Sequence, residues 1–345
     1  MCCNSRLPGT LNLYLRASMY IGTQYTDRHE KDIKQLAQLG VTHVDVTPGS
    51  PWREWSVDSL TALREKYAKH GITVEMIHLP LSSRTAFERE MSYIFLGPSD
   101  NRDREIDGVC KIIQMAAAAG LRGVNYNITI LGHLRTEPRH GRGGAELSSF
   151  EYDKLDQTQG EFEGGAADAD TMWERIDYWL ERVIPVVEEY KVQLACHPQD
   201  PGIGDNTYRG VARVMGTVEG LKKYVSMHEN PYHGLNFCQG TISEMLENPG
   251  EEIFDIIRYF GERKKIFNLH FRNIKGGFLS FVEVFPDEGA VDMLKALRVY
   301  QEGGYPYMVM PDHVPGISGD EADRVGFAYC YGYLHALMRA IEAVD

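Results

Sequence analysis

Residues 193–201 read QLACHPQDP, and this stretch shows how the whole chain is built. A run of apolar and small residues, typical of a strand buried on both faces, ends in His197 and is closed by a proline. Amphipathic stretches with helical periodicity lie on either side of it. The same unit, a short apolar run followed by an amphipathic stretch, recurs along the chain.

Eight such runs are candidate strands, and each is followed by a candidate helix. The predicted strands are Met19–Gly22, Thr42–Val46, Thr73–His78, Gly123–Asn127, Gln193–His197, Gly234–Cys238, Ile266–Phe271 and Tyr307–Pro311. The predicted helices are Arg28–Leu39, Val57–His70, Arg102–Ala119, Thr171–Tyr190, Val218–Met227, Glu251–Phe260, Gly289–Glu302 and Glu321–Val344. Strand–helix units in series predict a parallel sheet, and eight units are the number that closes a (β/α)8 TIM barrel.

The alternative architecture is an open, doubly wound sheet. Its usual signature, Gly-x-Gly-x-x-Gly after the first strand, is missing, because residues 19–24 read MYIGTQ. We therefore expect residues 1–345 to form one barrel domain. Residues 131–170 interrupt the alternation with a glycine-rich stretch of no clear periodicity. This segment follows strand four, at the catalytic end of a barrel, and we interpret it as a partial lid, with disorder as the alternative.

Composition and charge exclude several classes of partner. The formal net charge of -13 argues against a nucleic-acid or anionic-membrane surface, both of which need a basic patch. No apolar stretch approaches the roughly 20 residues that span a bilayer, and the N-terminus lacks the apolar region of a signal peptide. The six cysteines lack the spacing of a disulfide scaffold. We expect free thiols, a cytoplasmic location, a small-molecule substrate and a homo-oligomer, namely a dimer.

Metal-binding side chains stand at the C-terminal ends of strands five to eight. They are His197, Cys238, His270 and Asp312. Each alone has an ordinary explanation: a hydrogen-bonded histidine, an inert buried cysteine, or a helix-capping aspartate. Because strand ends converge at one mouth of a barrel, their coincidence on four adjacent strands favours a shared metal site. These ligands suit Zn²⁺ and equally permit Mn²⁺ or Fe²⁺ if substrate or water oxygens complete a larger shell.

Residues next to the ligands are candidates for contact with a substrate. His313 adjoins Asp312 and can serve as a general acid or base near neutral pH. Arg272 follows His270 by two positions, so in a strand it shares the ligand's face and could clamp a carboxylate. Arg135 and Asn127 follow strand four, where they could contact hydroxyls or the acid group. The alternatives are a surface salt bridge for either arginine and a turn role for Asn127.

Four motifs carry a resemblance to a known family. They are LACHPQDP at Leu194–Pro201, NFCQGT at Asn236–Thr241, LHFRN at Leu269–Asn273 and MPDHV at Met310–Val314. In this order they resemble the mannonate dehydratases, a branch of the xylose-isomerase-like TIM barrels. The resemblance implies Mn²⁺ or Fe²⁺ held by the four predicted ligands, and loss of water from D-mannonate to give 2-keto-3-deoxy-D-gluconate. It also implies an acid–base role for His313.

Three departures from the family pattern keep other functions open. The segment 131–170 is shorter than the helical insertion usual there, and strand two ends in Val46-Thr47-Pro48-Gly49 where the family has histidines. A family tyrosine aligns with Ala328, near Phe327, Tyr329 and Tyr331. The alternative functions are a metal-dependent isomerase or epimerase of a neutral sugar, and a barrel that binds metal or sugar without turnover.

Overall fold

Eight parallel strands close into a barrel in the computed structural model, which describes residues 19–26, 29–49, 51–319 and 321–343. Each strand pairs with its neighbours in the sequence, and the first pairs with the eighth. The barrel strands are β1 Tyr20–Thr23, β2 His43–Val46, β3 Thr73–His78, β4 Gly123–Asn127, β5 Gln193–His197, β6 His233–Cys238, β7 Ile266–His270 and β8 Met308–Met310. The predicted barrel is confirmed, with strand ends displaced by at most one residue.

Eight principal helices cover the described part of the barrel's outer face. They are α1 Glu30–Gln38, α2 Val57–Ala68, α3 Asp100–Ala118, α4 Ala169–Tyr190, α5 Val218–Ser226, α6 Pro249–Glu262, α7 Met293–Glu302 and α8 Ala322–Glu342. Capping residues explain the displaced ends. Ser99 accepts from the N–H of Arg102, so α3 begins before its predicted start. Asp292 caps α7, which therefore begins at Met293, four residues after its predicted start. The predicted ends at Arg28 and Val344 lie outside the described residues.

Shorter strands, turns and one short helix lie in the connections between the barrel strands and the principal helices. The short strands are Arg139–His140, Glu146–Leu147, Ser149–Glu151, Thr207–Tyr208, Val211–Ala212, Asn273–Gly277 and Ser280–Val284. A short helix spans Gln239–Ser243, and single 3-10 turns span Trp52–Glu54, Ala86–Glu88, Arg142–Gly144 and Tyr152–Lys154. Residues 131–170 therefore take defined short strands and turns, and the lid role stays a prediction.

A hairpin after β7 was not predicted from the sequence. Its strands, Asn273–Gly277 and Ser280–Val284, pair with each other, and the second also pairs with Ser149–Glu151 from the segment after β4. Phe150 and Phe281 are buried where these strands meet. The resulting three-stranded sheet carries Glu283 to the mouth of the barrel.

Strand register determines which predicted ligands lie side by side at the end of the barrel. Cys238 lies opposite His270, and Asn127 lies opposite His197. Successive side chains of a strand point to opposite faces, so His197 faces the barrel interior while the buried Cys196 faces the helices. The two cysteines that end β5 and β6 thus stand in different environments.

The apolar core has two parts. A small cluster fills the barrel interior and consists of Met76, Ala195, Phe267, Met308 and Met310. The larger part lies between the strands and the surrounding helices. No helix in the described ranges combines the length and the apolar character needed to cross a membrane. Cys110, Cys196, Cys238 and Cys330 are free thiols, and Cys2 and Cys3 lie outside the described residues.

Candidate metal centre

The four predicted ligands converge at the mouth of the barrel. His197, Cys238, His270 and Asp312 each offer one ligand atom, and these atoms all lie within 4.8 Å of one another. All four residues are buried, and they come from the ends of β5 to β8. A group of two imidazoles, one thiol and one carboxylate at this spacing can hold a divalent metal ion.

Hydrogen bonds orient both imidazoles towards the centre of the group. Nδ1 of His197 lies 2.7 Å from the carbonyl oxygen of Pro198, so Nδ1–H donates there and Nε2 presents its lone pair. Nδ2 of Asn236 lies 3.2 Å from Nε2 of His270 and fixes the orientation of the ring. Nδ1 of His270 is buried and lies 3.2 Å from Oδ1 of Asp312. An imidazole nitrogen placed against a carboxylate and a thiol fits a cation site.

Cys238 is held as a thiolate. Burial and the charge of Asp312 raise the pKa of Cys238, but the Arg272 guanidinium and hydrogen bonds with the two histidines outweigh them and lower it to about 6. Its Sγ also accepts hydrogen bonds from the backbone N–H of Thr241 at 3.4 Å and from the Thr241 hydroxyl at 3.2 Å. The thiolate is the form that binds a metal ion.

Asp312 stays ionised although it is buried. Burial raises the pKa of its carboxyl group, but His313, His270 and Arg272 outweigh burial and hold the pKa well below its usual range. Oδ1 accepts from Nε2 of Gln24 at 2.6 Å, and Oδ2 lies 3.2 Å from Nε of Arg272. The carboxylate is therefore fixed in direction as well as in charge.

A second buried cluster lies beside the ligands and joins three carboxylates to two arginines. The Nη1 atom of Arg272 lies 2.8 Å from Oε1 of Glu244 and 3.2 Å from Oε1 of Glu283. Its Nη2 atom lies 3.2 Å from Oδ2 of Asp200. Nη1 of Arg135 lies 2.6 Å from Oδ1 of Asp200, and its Nη2 lies 2.5 Å from Oε1 of Glu283. Because the arginines bridge the carboxylates, this cluster is an ion-pair network.

The three carboxylates differ in protonation. Burial raises the pKa of Glu244, and the charges of Asp200 and Glu283 hold it well above its usual range. Burial also raises the pKa of Asp200, but Arg135 outweighs it and lowers the pKa well below the usual range. Arg272 does the same for Glu283. These opposite pKa shifts favour ionised Asp200 and Glu283 and a neutral Glu244 beside the two guanidinium groups.

This network bears on the predicted roles of Arg272 and Arg135, which stay predictions. Every nitrogen of the Arg272 guanidinium faces a carboxylate of the protein itself, since Nε is bound to Asp312. Nε of Arg135 donates to the hydroxyl of Ser148 at 2.9 Å, and its other nitrogens bind carboxylates. Neither arginine has a free edge to clamp the carboxylate of a substrate. The ion pairs of Arg272 are buried, whereas the side chain of Arg135 is 20% exposed.

Arg272 fits against the ligands because position 240 is glycine. A Cβ atom at Gly240 would lie 2.6 Å from Nε of Arg272 and 2.7 Å from Cζ, closer than real side chains approach. Arg272 is fully packed, with a side chain that is 1% exposed. The glycine in NFCQGT therefore makes room for the guanidinium beside Cys238.

His313 reaches towards the open side of the site. Its Nδ1 lies 2.7 Å from Oε2 of Glu283, and its Nε2 lies 3.7 Å from Oδ1 of Asp312. Burial lowers the pKa of His313, but the two carboxylates outweigh burial and raise it to about 9. The side chain is 36% exposed, against 4% for Asp312. The role of His313 as a general acid or base stays a prediction.

The remaining predicted positions lie around the site. Asn127 ends β4 beside His197, and its contact with a substrate stays a prediction. The Tyr331 hydroxyl, near the alanine at the family's tyrosine position, donates to Oγ1 of Thr23 at 2.8 Å. Tyr329 is 41% exposed and packs edge-on against Phe285. In the part of the chain that the structure describes, neither phenol forms a hydrogen bond or a ring contact with the four predicted ligands.

Comparison with known proteins places the chain in a family. The family model for D-mannonate dehydratase (UxuA) matches residues 140–344, which include all four predicted ligands and His313. The chain belongs to the D-mannonate dehydratase family. Its resemblance to that family, inferred from four motifs, is confirmed.

Relatives within the D-mannonate dehydratase family match nearly the whole chain. The mannonate dehydratase of Thermotoga maritima is 29% identical, over 93% of this chain and 96% of that protein. Mannonate dehydratase 2 of Halalkalibacterium halodurans is 25% identical, over 87% of this chain and 90% of that protein. The departures described above, such as Ala328, therefore occur in a chain of ordinary length for the family.

Solved structures show the same fold. The crystal structure of mannonate dehydratase from Streptococcus suis serotype 2 matches with a TM-score of 0.80 at 20% identity, over 95% of this chain and 96% of that chain. A xylose isomerase domain protein from Planctomyces limnophilus matches with a TM-score of 0.60 at 14% identity, over 94% and 98% of the two chains. The xylose-isomerase-like barrel predicted from the sequence is confirmed.

Sequence reasoning missed the residues that surround the ligands in this family member. Asp200 and Glu244 lie three and six positions after His197 and Cys238, so proximity to a ligand was an available signal. Asn236 shares the face of Cys238, two positions earlier on β6. Glu283 gave no comparable signal, because the hairpin that carries it was not predicted.

Proposed function

We propose that this protein removes water from D-mannonate to give 2-keto-3-deoxy-D-gluconate. The observation that carries the proposal is the convergence of His197, Cys238, His270 and Asp312, with His313 beside them, in a chain of the D-mannonate dehydratase family. The relatives that match most of the chain are named mannonate dehydratases, which supports this substrate.

The site suits Mn²⁺ or Fe²⁺, and the same donors accept Zn²⁺. Two imidazole nitrogens, a thiolate and a carboxylate supply four donors, and a larger shell leaves positions for substrate oxygens. When bound, the cation supplies an electrophile that stabilises negative charge on the carboxylate and hydroxyl oxygens of the substrate. Reloading a chelated protein with each ion in turn identifies the metal that supports turnover.

His313 moves one of the two protons that the elimination requires. The reaction takes the proton next to the carboxylate and adds a proton to the departing 3-hydroxyl group. Because Glu283 engages Nδ1, the atom of His313 that exchanges a proton with the substrate is Nε2. Asn127, at the end of β4, contacts a substrate hydroxyl in this proposal.

Arg272 and Arg135 act on the ligands rather than on the substrate. Arg272 holds Asp312 through Nε and lies 3.7 Å from the sulfur of Cys238 through Nη2. Arg135 neutralises Asp200 and Glu283, which in turn hold Arg272 and His313. The network thereby holds the Cys238 thiolate and the Asp312 carboxylate next to each other in the metal centre.

Three further expectations from the sequence are part of the proposal. Residues 131–170 act as a partial lid, because they pair with the hairpin that carries Glu283 at the mouth. The chain forms a homodimer. It acts in the cytoplasm, which agrees with four free thiols in the described residues.

Turnover of a panel of sugars tests the function. Purified protein loaded with Mn²⁺ is given D-mannonate, its hexonate epimers and neutral hexoses, and 2-keto acid is measured. We expect keto acid from D-mannonate and none after chelation, with activity restored by Mn²⁺ or Fe²⁺. Turnover of a neutral sugar but of no hexonate would instead identify an isomerase or epimerase, and no turnover at all would indicate a binding protein.

A further inference from the structure

A cavity lies at the mouth of the barrel, beside the metal centre, and contains a buried cation. Its volume is about 390 Å³, and its lining includes Trp55, His78, Leu79, Pro80 and Arg89. These residues follow β2 and β3, at the end of the barrel where the ligands stand. The volume is that of a typical small-molecule site.

Arg89 is buried with most of its hydrogen-bonding capacity unused. The residue is 7% exposed, and its Nε and Nη2 atoms have no hydrogen-bond partner among the residues that the structure describes. Only Nη1 has partners, the carbonyl oxygens of Ser82 and Asn127, each at the long distance of 3.4 Å. A buried guanidinium with two unpaired nitrogens is costly unless a ligand completes it.

No carboxylate in the described part of the chain forms an ion pair with Arg89. Glu105 is the acidic group that acts on it through charge, but its oxygens accept from the N–H groups of Ser92 at 3.2 Å and Tyr93 at 2.7 Å. Burial lowers the pKa of Arg89 to about 10, so the side chain is still a cation at neutral pH. Arg89 therefore keeps a positive charge at the cavity that no ion pair within the described residues neutralises.

The acidic residues at the rim of the cavity are engaged elsewhere. Glu88 is exposed, and its Oε2 accepts from the hydroxyl of Thr85 at 2.7 Å. Glu90 is also exposed, and its Oε2 accepts from the N–H of Trp52 at 2.8 Å. Arg84 also lines the cavity but is exposed, so Arg89 is the buried arginine of this lining.

Two connections place the cavity next to the metal centre. Arg89 binds the carbonyl of Asn127, which lies opposite the ligand His197 on neighbouring strands about 5 Å apart. His78 lines the cavity, and its Nε2 lies 3.2 Å from Oδ1 of Asp45 inside the barrel. Arg89 therefore lies at the same end of the barrel as the four ligands and contacts the strand that pairs with β5.

We propose that Arg89 binds the carboxylate of the sugar acid, and that the cavity beside it holds this end of the substrate. The proposal rests on the proposed function, which requires an acid as substrate. The two unpaired nitrogens, Nε and Nη2, lie on one edge of a guanidinium, and this edge matches the two oxygens of a carboxylate. Arg89 thus takes the role predicted from the sequence for Arg272 and Arg135, whose edges are occupied by the protein's own carboxylates.

Calorimetric binding of D-mannonate and D-mannitol tests this assignment. D-Mannitol is the neutral control, since it has a CH₂OH group where D-mannonate has the carboxylate. A His313→Asn background with Mn²⁺ keeps the four predicted ligands and slows turnover during the titration. We expect Arg89→Gln to weaken D-mannonate binding about 10- to 100-fold and to leave D-mannitol unchanged, because a charged hydrogen-bonded pair is lost. Arg89→Lys keeps the charge but not the paired edge and should give a loss of about 10-fold.

Arg102→Gln is the matched control. Arg102 is buried to a similar degree, 9% exposed, but it pairs with Asp103 and stacks on Tyr178 in the outer helix layer. We expect its D-mannonate affinity to stay within about twofold. Circular dichroism and Mn²⁺ content verify the fold of each variant, and Arg89→Lys carries the test if Arg89→Gln does not fold.

The outcomes separate this inference from the proposed function. Unchanged D-mannonate affinity in the folded Arg89 variants overturns the inference, and so does a parent protein that binds D-mannonate no better than D-mannitol. If wild-type protein forms keto acid while the Arg89 variants bind normally, the function stands and Arg89 is excluded. If no hexonate is turned over but Arg89→Gln abolishes the preference for hexonates, the carboxylate site stands and the dehydratase proposal fails.

Discussion

Nδ1 of His313 lies 2.7 Å from Oε2 of Glu283, and this contact joins two elements that the sequence keeps apart. His313 follows β8, whereas Glu283 belongs to the hairpin after β7. The carboxylate fixes the ring, so that Nε2 is the nitrogen left for a substrate. Oε1 of the same glutamate binds Arg135 and Arg272, which ties the histidine to the network behind the ligands.

Loss of the His313 imidazole should abolish turnover and spare the metal. We expect His313→Asn to lower kcat by about 100- to 10,000-fold, the usual contribution of a general acid or base. Mn²⁺ content should not change, because the four predicted ligands remain. Glu283→Gln, which keeps a hydrogen-bond acceptor, should cost about tenfold by weakening the hold on the ring. Steady-state kinetics and metal analysis measure both effects.

His140→Asn is the control for this prediction, because His140 is an exposed histidine in the segment after β4. It should keep kcat within about twofold, as expected for a surface substitution. Full activity in His313→Asn would remove His313 from the reaction.

Two adjacent strands offer matched cysteines for testing the metal centre. Cys238→Ala removes a thiolate ligand, and we expect bound Mn²⁺ to fall below half of the wild-type level after dialysis. Loss of a residue that only supports a ligand already costs about 10- to 100-fold in metal affinity, and loss of a ligand should cost at least as much. Cys196→Ala removes a buried thiol that faces the helices, where burial raises its pKa to about 12. It should keep its metal and lose only some stability. Equal metal content in both variants would contradict the predicted ligand set.

Removal of one arginine from the arginine–carboxylate network should lower the free energy of unfolding. Arg135→Met leaves the buried Asp200 and Glu283 short of a positive charge, and we expect a loss of about 3–5 kcal/mol in the free energy of unfolding. Arg139→Met removes a pair with Glu151 in which the arginine is 50% exposed, and should cost under about 1 kcal/mol. Urea unfolding measures both changes. A similar, small effect of the two substitutions would show that the network contributes little.

Acid should destabilise the protein through His233, which begins β6 and is fully buried. Burial lowers the pKa of His233 from its usual 6.5 to about 4, while its Nε2 donates to the carbonyl of Tyr224 at 2.9 Å. Because the unfolded chain takes up the proton first, this contribution is fully present above pH 6.5 and is lost as the pH falls towards 4. The full loss is about 3 kcal/mol.

The measurement is the difference in unfolding free energy between wild-type protein and His233→Gln across this pH range. The difference should shrink by about 3 kcal/mol between pH 6.5 and pH 4. His228→Gln, at a histidine whose side chain is 33% exposed in the same connection, should give a difference that varies much less. A difference for His233→Gln that does not vary with pH would refute the assignment.

Local patterns sufficed for the barrel and for the residues at its strand ends. Short apolar runs such as Gln193–His197 are strands because both faces are buried, and their order along the chain leaves few topologies. Helix ends were less accurate where a cap such as Asp292 lay inside the apolar pattern. The hairpin Asn273–Val284 was missed because it packs on a segment more than 100 positions away.

The sequence by itself determined the fold and the four candidate ligands, because strand periodicity and ligand chemistry are properties of neighbouring residues. Only the tertiary structure decided which arginine is free for a substrate. Arg272 and Arg135 stand near the ligands, yet four carboxyl groups occupy them, those of Asp200, Glu244, Glu283 and Asp312. Arg89 has no such partner in the described residues. Charge compensation depends on distances in space, and the order of residues along the chain does not contain those distances.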